Sequence, residues 1–327
     1  MTLTEQIKQK AIEIGFDLVG ITDTSPIPSD QVNHLIGWLN AGHAGRMTWM
    51  HRNLDKRTNP TKLLPGAQSV IVVGLNYKPR AEDGGQRTDS RGRRTGRVAA
   101  YARYEDYHPF IKKQLRKLVD FIVGLAGPGL KFKICVDSAP LLERALAIRA
   151  GLGFIGKNHA LINPRLGPQI LLGEILINLD LACPGNSLAG NHCQSCSKCL
   201  AACPTGALRP DGSFDATNCI SYLTIESESE IPPELAPKIG NHLFGCSDCI
   251  LACPYQHKAP PCANKEFTFY PDRAELNLNK ILNLTEDQFR NKFSGSPILR
   301  AGLSHLKRVA QICLKNLSAE AGRFRPS

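Results

Sequence analysis

The sequence has no run approaching the roughly 18–20 consecutive apolar residues that a membrane-spanning helix needs, which argues against a helical membrane protein. Met1 to Gln9 is polar and reads as the beginning of a helix, not as a secretion signal. A secreted disulfide framework is therefore not expected, and the cytoplasm is the default address. Several catalytic signatures are also missing: there is no Walker A loop, no G-x-S-x-G elbow and no H-E-x-x-H pair. Gly151-Leu152-Gly153-Phe154-Ile155-Gly156 matches a dinucleotide fingerprint only by letters. It follows a helical stretch, where the fingerprint follows a strand and opens a helix. These glycines read instead as a tight turn or a close approach of backbone to a ligand. The nine histidines are scattered without metal-ligand spacing and read as structural or exposed. No internal repeat is visible apart from two cysteine runs.

Those runs carry most of the information. The first is Cys193-x2-Cys196-x2-Cys199-x3-Cys203-Pro204, the full pattern of bacterial two-cluster ferredoxins. The second is Cys246-x2-Cys249-x3-Cys253-Pro254, with Cys219 between the two. A 4Fe–4S cube needs four thiolates, and in two-cluster folds the cysteine before proline crosses to the other cube. On that rule Cys193, Cys196, Cys199 and Cys253 hold one cube. Cys203, Cys246 and Cys249 hold the other and need a fourth ligand, because Leu243 stands where a third close cysteine would be. Cys219 is the candidate that balances the set. Zinc is the competing reading of C-x2-C pairs; the compact run closed by Cys-Pro, occurring twice, favours iron–sulfur. Cys135, Cys183, Cys262 and Cys313 have no partner spacing and read as small buried hydrophobes.

The chain has 327 residues and is 42% hydrophobic, enough for two domains and an extra segment. Its net charge of +11 points to an anionic partner, nucleic acid first. The expected organisation is an α/β (α+β) domain over residues 1–185, a ferredoxin-like two-cluster domain over 186–260 and a C-terminal helical segment over 261–327. Apolar spacing predicts helices over 3–14, 31–39 and 108–123, and another opened by Pro140. Strands are expected over 16–21, 69–73, 132–136 and 170–177. Leu303, Leu306, Val309, Ile312 and Cys313 mark a late helical face. Residues 79–97 carry six arginines among glycines and have the composition of an exposed loop able to touch phosphate.

Asp137-Ser138-Ala139-Pro140 is placed at a strand end before a helix, a position that faces clefts in α/β proteins. Partial desolvation there raises a carboxyl pKa and suits Asp137 to proton donation. The same residues also suit a plain helix cap.

Together these features resemble the epoxyqueuosine reductase family. The matching stretches are Tyr101-Ala102-Arg103-Tyr104-Glu105-Asp106-Tyr107-His108, Val136 to Pro140, Arg149 to Asn158, Leu172-Gly173-Glu174-Ile175, the cysteine module and Cys219-Ile220-Ser221-Tyr222-Leu223-Thr224. The resemblance implies a cobalamin held between the N-terminal domain and the ferredoxin-like domain. It implies the base-off form, in keeping with the absence of a D-x-H-x-x-G motif. It implies reduction of epoxyqueuosine to queuosine at the wobble position of tRNA. By position, Asp137 is the expected proton donor. Arg57, Tyr101, Asp137, Leu161, Leu172, Ser221, Cys246 and Ser247 are the expected cobalamin contacts. An external low-potential electron donor, no membrane and a monomeric state complete the expectation. Two other readings compete. A related corrinoid iron–sulfur reductase, such as a reductive dehalogenase, shares the cofactors and is separated by tRNA dependence. A non-enzymatic electron carrier or cluster-bearing RNA-binding module is separated by cobalamin binding.

Overall fold

The computed structural model describes residues 1–80, 94–183 and 192–323. Most of the arginine-rich segment, and Pro184 after Cys183, lie outside the described residues.

Helix α1 (Leu3–Ile14) opens with a capping box in which Thr2 and Glu5 bond reciprocally, and it buries Ile7 and Ala11. Strand β1 (Leu18–Asp23) follows, then α2 (Ser29–Asn40) and the short α3 (Leu54–Thr58). Strand β2 (Ser69–Asn76) is buried at every position, as its continuous apolar run requires. Strand β3 (Thr95–Val98) leads to the long α4 (Tyr107–Ala126) and β4 (Phe132–Cys135). Helix α5 (Glu143–Arg149), the short strands β5 (Phe154–Ile155) and β6 (Leu161–Ile162), and β7 (Ile170–Ile177) complete the first part.

The main sheet has the order β1-β2-β7-β4 and every pairing is antiparallel. Its two faces follow the period of two. Ile71, Val73 and Leu75 of β2 pack with Ile7 of α1 and Ile111, Leu115, Leu118 and Ile122 of α4. Val70 and Val72 point the other way, toward Leu141 and Leu146. Gly173 lets α4 close onto β7, since a Cβ there would lie 2.7 Å from Cγ2 of Ile111.

The cysteine module follows as α6 (Lys198–Ala201), α7 (Ile220–Ile225), β8 (His242–Phe244), α8 (Asp248–Leu251) and α9 (Pro254–Lys258). Strand β9 (Glu275–Asn277) and helices α10 (Leu278–Leu282), α11 (Glu286–Lys292) and α12 (Leu303–Arg323) close the chain. A second sheet, β8-β3-β9, joins β3 from the first third of the sequence to β8 and β9 from the last. One core gathers Val98 and Ala102, Ile220 and Leu223, Leu243 and Phe244, and Phe289, Phe293, Leu306 and Val309. Cys262 and Phe267 return to pack with α1 and α4. The module and the C-terminal helices are thus locked against the first part of the chain. Among the described residues no helix is long and apolar enough to cross a membrane.

The strand expected at 132–136 ends at Cys135, and α5 starts at Glu143 rather than at Pro140. The N-cap residue is Leu142, without a side-chain cap bond. Asp137 and Ser138 therefore do not cap the helix. They belong to a loop, residues 136–142, which leaves their side chains free for other partners.

Candidate active site and cysteine module

Two residues after β4, the backbone of Asp137 turns left-handed, with φ 56°. This region is uncommon for a residue with a Cβ, although aspartate tolerates it better than most. A specific bond holds the turn: the Asp137 N–H donates to Oε1 of Glu143 at 2.5 Å. The Asp137 carboxylate then reaches the first turn of α4. Its Oδ2 lies 2.9 Å from Nε2 of His108, whose Nδ1 lies 2.7 Å from Oδ1 of Asp106. Asp106 is the N-cap of α4 and also accepts the backbone N–H of His108. The helix start thus fixes the imidazole between two carboxylates. The hydroxyl of Tyr107 donates to Asp137 as well, and its ring stacks on His108 at 4.1 Å between centroids. Arg300 approaches Oδ2 of Asp137 at 3.8 Å and pairs with Glu226 at 2.9 Å.

These groups line a cleft of about 590 Å³ together with Tyr101 and Phe244. The Asp137 side chain is 42% exposed, so water reaches it although protein surrounds it. Burial works to raise its pKa, but the His108 hydrogen bond and charge, Arg300 and Tyr107 together hold it below the usual carboxylate range. His108 moves the other way. Burial opposes its charge, yet the flanking carboxylates of Asp106 and Asp137 lift it to about 9. The raised Asp137 carboxyl expected from sequence is thus reversed: near neutral pH the proton rests on His108 and Asp137 is ionised. His108, read from sequence as structural or exposed, lines the cleft.

Behind the loop lies a second acidic pair. Glu174 is fully buried in β7, opposite Cys135 of β4 and Val72 of β2. Its carboxyl meets that of Glu143, and burial followed by the other's charge raises Glu174 well above the ordinary range. Burial, then the charge of Asp137, raises Glu143. Two carboxylates in contact in a dry interior share a proton, since both cannot ionise there.

The cysteines gather in two sets. Cys199 and Cys253 each feel the sulfurs of Cys193 and Cys196. Cys249 feels those of Cys246, Cys219 and Cys203 most strongly, after burial itself. The two C-x2-C loops have nearly the same backbone: Ser197 has φ −131° and ψ 16°, and Ser247 has φ −130° and ψ 8°. Oγ of Ser221 on α7 accepts the N–H of Cys246 at 2.9 Å, tying Cys219 and its helix to the second set. Behind Cys246, Asp248 joins Arg97 at 3.3 Å and His242 at 3.2 Å. Phe244, two residues before Cys246, packs near Tyr101 at 6.4 Å between ring centroids. The second set therefore lies beside the Asp137 cleft.

The family described as epoxyqueuosine reductase QueG, DUF1730, matches residues 57–138, and a 4Fe–4S double cluster binding domain matches residues 192–256. The epoxyqueuosine reductase of Pseudomonas aeruginosa is 37% identical over 314 residues, spanning 96% of this chain and 85% of that one. That of Escherichia coli K12 is 38% identical over 315 residues, 95% and 80% of the two chains. This chain belongs to the epoxyqueuosine reductase family. It is an oxidoreductase with a double 4Fe–4S cluster binding domain, which settles the choice between iron–sulfur and zinc. Two solved epoxyqueuosine reductases share the fold. One, with a tRNA-Tyr epoxyqueuosine-modified stem loop, has a TM-score of 0.88 and 31% identity over 98% of this chain and 82% of that one. The other, from Bacillus subtilis, has its catalytic aspartate loop swung out of the active site; its TM-score is 0.87 at 30% identity, covering 98% and 82%.

Within this reductase the residues expected from sequence fall in different places. Tyr101 and Asp137 line the cleft, and Ser221, Cys246 and Ser247 sit at the second cysteine set. Arg57 donates to the carbonyls of Arg52 and Trp49, and Trp49 lies under Arg300 at 5.8 Å. Leu161 and Leu172 pack with Leu141 and Leu146 and do not line this cleft. Cys135, Cys262 and Cys313 are buried as expected, but Cys183 is exposed. Sequence reasoning gave no site role to Tyr107, His108, Glu143, Glu174 or Arg300. Two signals were available: Tyr107, His108 and Glu174 fall in family-matching stretches, and Glu174 is a charged residue in the apolar run Ile170 to Ile177.

Proposed function

We propose that this reductase converts epoxyqueuosine to queuosine in tRNA, using cobalamin, two 4Fe–4S clusters and Asp137 as proton donor. The observation that carries the reading is the placement of Asp137 in a cleft beside the second cysteine set. Cys193, Cys196, Cys199 and Cys253 would hold one cluster, and Cys203, Cys219, Cys246 and Cys249 the other.

The cleft fits a base-off cobalamin with no protein ligand. His108, the histidine lining it, has both ring nitrogens engaged by carboxylates, so it offers none to a metal. Arg57, Tyr101, Ser221, Cys246 and Ser247 would hold the cofactor, with Leu161 and Leu172 packed outside this cleft. When bound, cobalamin supplies a cobalt centre that takes electrons one at a time from the clusters and acts on the substrate carbon. The protein's own part is the proton. Loss of the epoxide oxygen as water takes two electrons and two protons. A substrate that fills the cleft excludes water and pushes Asp137 toward its neutral, donating form.

The net charge of +11 suits phosphate binding, and a wobble base must leave its stack to reach the cleft. We infer that the Asp137 loop moves as the aspartate loop of the B. subtilis relative does. The enzyme acts as a monomer in the cytoplasm, supplied by an external low-potential electron donor. The test is Asp137→Asn in the cobalamin- and cluster-loaded enzyme. The variant is expected to bind cobalamin normally, by its absorption spectrum, and to lose turnover of epoxyqueuosine tRNA. Full turnover would remove Asp137 from the donor role.

A further inference from the structure

The reaction needs two protons at one oxygen, and a single carboxyl carries one. The chain Asp106–His108–Asp137 is built to supply the second. Its links are hydrogen-bond contacts of 2.7 Å and 2.9 Å, anchored where Asp106 caps α4. The imidazole is wedged between Tyr107 and the Asp137 loop, with 23% of its side chain exposed. Its partners are acceptors on both sides, so both ring nitrogens carry hydrogen and the ring stores a proton.

We propose that His108 reloads Asp137 during turnover, so that the pair delivers both protons to the departing oxygen. This rests on Asp137 being the donor, as argued above. As substrate fills the cleft Asp137 takes up one proton from solvent and becomes neutral, with His108 still charged, and Asp137 first gives that carboxyl proton to the epoxide oxygen. The emptied carboxylate takes the Nε2 proton of His108 and passes it to the same oxygen. Both carbon–oxygen bonds break, the oxygen leaves as water, and the two electrons come from the reductant that drives the enzyme. The site ends with Asp137 ionised and His108 neutral, its Nδ1–H still held by Asp106. Solvent at the cleft restores the imidazolium. His108 is thus a positioning and proton-supplying residue that acts through Asp137.

The groups facing this chain fix how it responds to pH. Asp106 and Asp137 favour the charged ring. Tyr107 and Tyr101 are neutral across the working range, because burial raises both. Arg300 opposes the charge and Glu226 offsets Arg300. Glu143 approaches Asp137 from behind. A group raised to about 9 is charged below that pH and loses its proton above it. The second proton is therefore present at neutral pH and lost as pH rises through about 9.

The experiment uses the holoenzyme with epoxyqueuosine tRNA and compares wild type, His108→Gln and Asp106→Asn. Cobalamin binding and cluster content are read spectroscopically in each. The pKa of His108 in the full chain is read by hydrogen–deuterium exchange at its C2 position with mass spectrometry. The wild-type His108 is expected to titrate far above an ordinary histidine, and in Asp106→Asn to fall toward it. The alkaline limb of kcat should move down by the same interval. In His108→Gln, kcat should drop about 10²- to 10⁴-fold, the range of a lost acid–base group, with little change in KM, and the limb should disappear. If His108→Gln fails to fold or to bind cobalamin, the Asp106→Asn profile decides. Wild-type kcat and profile in His108→Gln overturn the relay, as does a limb in Asp106→Asn that ignores the shifted His108 pKa. A wild type that converts nothing overturns the underlying function instead, and the exchange measurement still reports on His108.

Discussion

Glu143 is expected to hold the Asp137 loop. Glu143→Ala removes the acceptor of the Asp137 N–H, a 2.5 Å bond to a buried carboxyl. Hydrogen bonds to such groups are worth about 1.5–3 kcal/mol. The left-handed turn at Asp137 adds a bias of about 1 kcal/mol or more toward release once the bond is gone. With ~1.4 kcal/mol per factor of ten, the bond alone changes the ratio of held to released loop by about ten- to hundredfold. Turnover should fall toward that factor, while cobalamin binding by the proposed contacts outside this loop stays near wild type. Glu143→Gln is the informative control. Its amide oxygen still accepts from Asp137 and its NH2 donates to Glu174, so the contact survives without the shared proton. Steady-state kinetics on epoxyqueuosine tRNA should place Glu143→Gln near wild type and Glu143→Ala far below it. Equal activity of Glu143→Ala and wild type would refute the latch. The pair also has a pH signature. Both carboxyls titrate above their ordinary value of 4.5, so the folded chain keeps a proton that the unfolded chain releases. Stability should therefore fall as pH rises above that value until the pair ionises, and Glu143→Gln should flatten this fall in denaturant titrations.

Three further outcomes follow from the fold and the charge. Cys219→Ser should lower the iron content and spectrum of one cluster and spare the other; two intact clusters in that variant would remove Cys219 from the ligand set. Leu115→Ala opens a cavity under α4 where Leu115 is fully buried. It should cost about 2–5 kcal/mol of unfolding free energy, and a loss under about 1 kcal/mol would contradict the packing described. tRNA affinity should fall steeply with salt in a filter-binding titration, because a chain of net charge +11 binds phosphate by displacing counterions; a flat salt dependence would exclude a phosphate-driven interface.

How much of this was legible in the sequence depended on where the decisive partner lay. The α1 and α4 helices and strands β2 and β7 announce themselves, because each buries its own periodic face. The cysteine sets were readable from spacing, since cluster geometry fixes local separations. The fourth ligand of the second set could be reached only by counting. Strand β3 was not readable: Thr95–Val98 borders the arginine-rich segment, and its partners β8 and β9 lie far along the chain. The start of α5 was misplaced because Pro140 invites a helix. The chain delays it to Glu143, whose side chain is needed at Asp137. The direction of the Asp137 shift could not be read from its own neighbourhood in sequence, since His108 lies 29 residues away.

The most direct test of the account is to rebuild the clusters anaerobically and add cobalamin, a strong reductant and tRNA carrying epoxyqueuosine. The digested nucleosides are then weighed by mass spectrometry. The account predicts conversion to queuosine, with loss of one oxygen, only when cobalamin is present. Undiminished conversion without cobalamin, or none with clusters intact and cobalamin bound, would contradict it.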